Sequence, residues 1–296
     1  MGATIPSGPL MRPVPSPPAA SENRFAFGEN WRRFAAHVPP RRIEAARSSL
    51  AGMLARDSLE GLSFLDIGSG SGLFSLAAVT MGADRVHSFD YDLDSVETTT
   101  RLKGQFAPAA DWTVGRGDAL DRDYMSSLGR WDVVYAWGVL HHTGDMWAAL
   151  ENTCARVDPA GSLFISIYND LGRRSARWRH IKRIYNQLPE ALRPPYAILM
   201  ALPMELRALA GRALRLKPQE YFRLWRRPAG YDYRGMSRWH DLVDWVGGYP
   251  FEVAAPEQVF EFCSARGFEL RKLRTAGAGH GCNEFVFELP ADPGHR

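Results

Sequence analysis

From residue 62 onward, apolar positions come in short continuous runs separated by stretches with helical spacing. Leu62-Ser63-Phe64-Leu65 reads as a buried strand ending at Asp66. Leu73, Phe74 and Leu76 then open a helix that reaches about Thr80. Arg85-Val86-His87-Ser88-Phe89 predicts a second strand, ending in Asp90. A helix follows from about Leu93 to Gln105, with Asp94 and Ser95 placed to cap it. Trp112-Thr113-Val114 predicts a third strand that leads into Gly117-Asp118-Ala119-Leu120. Trp131 to Trp137 reads as the fourth strand, and a helix covers 145–156. Asp158-Pro159-Ala160-Gly161 then turns the chain into a fifth strand, Ser162 to Ile167. Strand–helix units of this length predict a parallel, doubly wound α/β sheet. Beyond 250, Pro256-Glu257 opens a helix that Gly267 ends, and 268–273 and 283–289 read as two closing strands. In such sheets ligands bind at the carboxyl ends of the strands, where Asp66, Asp90, Asp118, Trp137 and Tyr168 fall.

The alternation breaks between the fifth strand and the closing pair. Residues 171–227 carry fourteen Lys and Arg against three acids, a local charge of +11, while the whole chain carries only +3. Helical spacing there is interrupted at Pro189, Pro194-Pro195 and Pro203, so the segment predicts several broken helices. Its middle, Tyr196 to Leu202, is aliphatic. A helical cap that buries those aliphatics ranks first, a membrane-surface helix second and a nucleic-acid surface third. Residues 231–250 are dense in aromatics, charges and glycines, which suits a substrate lid. Its candidate substrate contacts are Tyr231, Tyr233, Arg234, Trp239, His240 and Trp245. At the other end, residues 1–22 read as a disordered proline-rich tail. Residues 23–60 read as a helical flap whose aromatics, Phe27 and Trp31 among them, either pack on the core or cover the cleft. The predicted organisation is therefore tail 1–22, flap 23–60, core 61–170, basic insertion and lid 171–250, and closing elements 251–296.

Composition narrows the setting. The chain has 296 residues with 45% apolar content, ample for a core. Its three cysteines are far apart in sequence and form no C-x-x-C pair, which fits buried small residues in a reducing, cytoplasmic compartment. No apolar run approaches the ~18 residues of a membrane span, and no secretory leader pattern is expected. Histidines and carboxylates do not cluster at metal-ligand spacing, so no metal is expected.

Chemistry concentrates in Asp66-Ile67-Gly68-Ser69-Gly70-Ser71-Gly72, between the first strand and its helix. Glycines there let a ligand lie against bare backbone at a helix start. The dinucleotide fingerprint spaces its glycines G-x-G-x-x-G, whereas here an acid precedes three alternating glycines. That spacing resembles motif I of the class I S-adenosylmethionine (SAM)-dependent methyltransferases. The resemblance implies a Rossmann-like, mostly parallel sheet ending in an antiparallel hairpin, with a helical insertion or cap. It also implies that Asp66, Gly68, Gly70 and Gly72 hold the methionine end of SAM. Asp90, followed by Tyr91, stands where the family's acid takes both ribose hydroxyls, and Asp118-Ala119 where the adenine amino group is met. Trp137-Gly138-Val139-Leu140-His141-His142 resembles the loop after strand four in the branch of ubiquinone and other small-molecule O-methyltransferases. SAM would then be the methyl donor and S-adenosyl-L-homocysteine the product, with a small-molecule or glycan-like acceptor touching Tyr168. His141 or His142 is the candidate base, since imidazole titrates near neutrality. His240 and His280 are lesser candidates. Competing readings are a nicotinamide oxidoreductase, an RNA methyltransferase that uses the basic segment, and a SAM-binding scaffold without catalysis.

Overall fold

The computed structural model describes residue 25 and residues 40–226, 238–279 and 281–291. The proline-rich tail, Phe27, Trp31, Tyr231, Tyr233, Arg234 and His280, together with the His240 side chain, lie outside the described residues. Seven strands form one sheet: β1 (Ser63–Ile67), β2 (Arg85–Asp90), β3 (Trp112–Arg116), β4 (Trp131–Trp137), β5 (Val157–Tyr168), β6 (Glu269–Arg274) and β7 (Cys282–Glu288). Their order is β3-β2-β1-β4-β5-β7-β6. The first five run parallel. β7 inserts antiparallel between β5 and β6. This is the doubly wound sheet with a closing hairpin expected from the sequence.

The central strands read as unbroken apolar runs because both of their faces are covered. Phe64 and Val133 point into a layer with Leu50, Met53 and Leu76, from α1 (Pro40–Leu54) and α2 (Leu73–Thr80). Leu65 and Val134 point to the opposite layer, where Leu150 and Val259 come from α5 (Met146–Cys154) and α10 (Pro256–Ser264). Each such side chain, fully buried, stabilises the fold by ~1.5 to 3 kcal/mol. Between these helices lie α3 (Leu93–Phe106) and α4 (Arg122–Ser127). Asp92, not Asp94 or Ser95, caps α3, accepting from the Asp94 N–H at 2.9 Å. Strand β5 also begins earlier than its turn residues suggest. Val157 pairs with Trp131 ahead of a register shift, and Ala160 takes φ 65° inside the strand.

The basic segment forms α6 (Arg173–Gln187), α7 (Arg193–Leu214) and α8 (Pro218–Arg226), and α9 (Arg238–Gly247) leads back to the core. Pro194 and Pro195 sit in the first turn of α7, where a missing N–H costs nothing. Pro203 does not break the helix as expected. It lies on the exposed side, where water can take the freed carbonyl, while Ala197 and Ala201 pack inward and hold the helix on course. A second correction concerns the aliphatic stretch: Tyr196, Ala197 and Met200 pack on the cluster of Trp178, Ile181 and Val246 as a cap requires, but Ile198, Leu199 and Leu202 face outward. Among the described residues, no helix is long and apolar enough to cross a membrane.

Candidate functional site

A cavity of about 1030 Å³ opens at the carboxyl ends of β1, β2, β4 and β5. One wall is the loop between β1 and α2. Gly68, Gly70 and Gly72 all take positive φ, at 71°, 54° and 75°. At two of these positions glycine is also demanded by space. A Cβ on Gly68 would stand 2.4 Å from a Val139 methyl, and one on Gly72 would stand 2.8 Å from the Thr99 methyl. The loop is pinned by the Gly68 and Ser69 N–H groups, which donate to the Phe89 carbonyl at 2.8 and 3.0 Å. Asp90 completes it. One carboxylate oxygen accepts from Gly70 N–H and the other from Asp92 N–H, both at 2.9 Å. A carboxylate offers about four lone-pair sites, so capacity remains for donors from the cavity that Asp90 lines.

The electrostatics of this wall favour a cation. Asp66 is 2% exposed and accepts from the Ser75 hydroxyl, which meets Ser88 at 2.6 Å. Burial lifts the Asp66 carboxyl to about 7, and the nearby Asp90 charge adds to the lift. Burial likewise raises Asp90 to about 6, against the stabilising N–H groups of Asp92 and Gly70. Two carboxylates made costly by desolvation and mutual repulsion fit a ligand carrying an ammonium and a sulfonium. At the far end of this wall, Asp118 accepts from Leu120 N–H at 2.9 Å, and Asp118 and Ala119 line the cavity.

The opposite wall follows β4. Trp137 donates its indole N–H to Glu284 at 2.9 Å, and Gly138 N–H donates to the Ser166 hydroxyl at 2.8 Å. The chain then makes one 3-10 turn, Leu140–His142. Glu252 anchors this turn from outside, accepting from Gly144 and Met146 N–H at 3.1 and 3.0 Å, while its own N–H donates to the His141 carbonyl. The turn separates the two histidines. His141 is 1% exposed, sits 4.1 Å from the Tyr168 ring and does not line the cavity. His142 does line it. Its Nδ1 lies 2.6 Å from the Pro250 carbonyl oxygen. A carbonyl only accepts, so Nδ1 carries the proton and Nε2 keeps its lone pair. Burial, and then the charge of Lys182, push His142 down to about 3, so the imidazole is neutral. Tyr168, Trp245, Tyr249 and Phe25 form the aromatic rim.

Against known proteins, a family described as "Methyltransferase domain" matches residues 33–233, more than half of the chain. The chain belongs to that family. It is a class I SAM-dependent methyltransferase. The chain is 32% identical over 136 residues to the ubiquinone biosynthesis O-methyltransferase of Methylobacterium nodulans, covering 44% of this chain and 52% of that protein. It is 30% identical over 111 residues to the Brucella ovis protein of the same name, covering 38% and 43%. The match thus spans about half the length of these relatives or less. Among solved structures, the magnesium protoporphyrin IX methyltransferase of Synechocystis PCC 6803 with bound S-adenosyl-L-homocysteine superposes with TM-score 0.51. It has 15% identity and covers 88% of this chain and 93% of that one. At that identity the likeness speaks to the fold.

In this methyltransferase the cavity brings together most of the residues singled out from the sequence. Asp66, Gly68, Gly70, Asp90, Tyr91, Asp118, Ala119, Trp137, His142, Tyr168 and Trp245 all line it. Gly72 instead stands behind the loop as the first residue before α2, and Trp239 is half-buried but not on the lining. Three further lining residues were not visible in the sequence. Arg274, Cys282 and Glu284 reach the cavity from the closing hairpin, because β7 pairs Cys282 with Tyr168. Cys154 and Cys263 are buried as expected, whereas Cys282 is only partly so. Among the described residues, no group of histidines, cysteines and carboxylates could hold a metal ion.

Proposed function

We propose that this enzyme moves the sulfonium methyl of SAM onto a hydroxyl oxygen of a small, ring-bearing acceptor, with His142 taking the hydroxyl proton. The carrying observation is the tautomer that the Pro250 carbonyl fixes on His142, a side chain lining the same cavity as the glycine loop. The acceptor oxygen attacks the methyl carbon, and the carbon–sulfur bond breaks with its electrons passing to sulfur. The proton goes to Nε2. One positive charge disappears at sulfur as another appears on the imidazole, and because burial and Lys182 disfavour that imidazolium, the proton moves only as the methyl does and does not stay on His142. A donor and acceptor held in line need little further covalent help. Asp66 and Asp90 favour the cationic donor over its neutral product, which aids product release. The aromatic rim of Phe25, Tyr168, Trp245 and Tyr249 supports an aromatic or similarly flat acceptor. The named O-methyltransferase relatives support oxygen as the accepting atom.

The test is methyl-labelled SAM offered with separate panels of phenols and catechols, sugars, primary amines and RNA. Label recovered as an aryl O-methyl group is the expected result. Label found only in amines or RNA overturns the reading.

A further inference from the structure

We propose that the outer face of α7 is a docking surface for anionic lipid bilayers. The observation is an apolar face where a soluble helix normally carries its charges. Ile198, Leu199, Leu202 and Leu206 are 53%, 59%, 45% and 55% exposed. Ile198, Leu202 and Leu206 recur at four-residue spacing with Leu199 beside them, on the side of α7 away from the buried Ala197 and Ala201. No charged residue occurs from Pro194 to Met204. The one acid in the next turn, Glu205, is turned to the Tyr221 hydroxyl at 2.7 Å. At the end of the helix Leu214, its last residue, and Leu216 just beyond it are 86% and 87% exposed.

Charge decides what this face meets. Arg207, Arg215 and Lys217 are exposed along and beyond the end of the helix, and Arg183 is exposed on α6 beside it. They belong to the segment of +11 in a chain whose remainder is acidic. A nucleic acid would pair such charges with stacking rings rather than with leucine and isoleucine. Exposed aliphatic side chains in a segment rich in exposed arginines match the boundary between acyl chains and anionic headgroups, with the helix lying in the plane of the surface. The same helix contributes Ala201, Met204 and Glu205 to the lining of the cavity. Docking through α7 would therefore hold the cleft close to the bilayer. The proposal does not depend on which acceptor the enzyme methylates.

Co-sedimentation of the full chain with phosphatidylcholine vesicles, with and without phosphatidylglycerol, tests this at low and at physiological salt. Wild type should sediment with the anionic vesicles, less so as salt rises. The double variant Ile198→Glu/Leu202→Glu should bind at least about tenfold more weakly, since it removes two apolar anchors. Its thermal midpoint and SAM affinity should match wild type, which separates loss of docking from loss of fold. Absence of vesicle binding by wild type at low salt would overturn the proposal. So would equal binding by the double variant. A dimer that the double variant dissolves, without vesicle binding, would make the face a contact between copies. Salt-sensitive RNA binding without vesicle binding would likewise overturn it.

Discussion

Replacing Asp90 with alanine probes the cofactor wall most sharply. Both carboxylate oxygens already hold a backbone N–H, from Gly70 and Asp92, and Asp90 lines the cavity. Ribose hydroxyls bound there would donate to an ionised acceptor, and the loss of even one such bond costs ~1.5 to 3 kcal/mol. At ~1.4 kcal/mol per tenfold, Asp90→Ala should weaken SAM ~10- to 150-fold. Isothermal calorimetry at neutral pH measures the loss, and a melting curve shows whether the loop survives without its two acceptors. A pH series adds an independent signature. Asp66 and Asp90 are raised to about 7 and about 6, so wild-type affinity for the cationic donor should level off only above about pH 8, one unit beyond the higher value. It should fall as the pH drops through those two values and the carboxyls protonate. In Asp90→Ala the lower step should vanish. Asp66 should then ionise more readily, because the Asp90 charge is one cause of its elevation. Unchanged SAM affinity in a well-folded Asp90→Ala, or a flat wild-type profile from about pH 5 to 8, would refute the reasoning.

Two further outcomes follow from the same geometry. Gly68→Ala places a methyl against Val139 in a backbone with φ 71°, so SAM titration should show binding lost, with a stability cost of ~1 to 3 kcal/mol by chemical denaturation. Val139→Ala added to it should recover part of the stability but not all, because the strained backbone remains. Lys182 is fully buried and donates to the Trp245 carbonyl between the Trp245 and Phe251 rings. Burial lowers it to about 7, against ~10.4 in the unfolded chain. Between those values the unfolded chain holds a proton that the native state lacks, so this residue makes stability rise with pH over that window. Denaturation of wild type and Lys182→Met near pH 7 and near pH 10 should show the variant's relative advantage shrinking at the higher pH. A difference that ignores pH would contradict the assignment.

The sheet was legible because Phe64-Leu65 and Val133-Val134 are covered on both faces, and a parallel strand covered twice is apolar without interruption. The acids and glycines at the strand ends were legible for a related reason: ligands collect there, so chemistry-bearing residues do too. What failed locally was decided by distant packing. Pro203 carries a breaking propensity, but Ala197 and Ala201 hold α7 against its neighbours and the helix continues. Asp158-Pro159-Ala160-Gly161 has the composition of a turn, yet the hydrogen bond between Trp131 N–H and the Arg156 carbonyl draws the start of β5 alongside β4. Sequence also could not tell His141 from His142. They are adjacent, and only the 3-10 turn, held by Glu252 and capped by the Pro250 carbonyl, buries one and leaves the other in the cleft. Glu284 and Cys282 carried no local signal at all, since strand pairing alone brings them beside Ser166 and Tyr168 of β5.

The most direct measurement is the single-turnover rate of methyl transfer to a phenolic acceptor, with SAM affinity determined on the same samples, for wild type and His142→Gln. Glutamine keeps a donor for the Pro250 carbonyl but has no basic nitrogen. If His142 takes the proton, the rate should fall ~10²- to 10⁴-fold while SAM affinity stays within about twofold. The parallel variant His141→Gln should leave the chemical step far less affected, because His141 does not line the cavity. An unchanged rate in His142→Gln, or a loss of rate fully accounted for by weaker SAM binding, would contradict the mechanism.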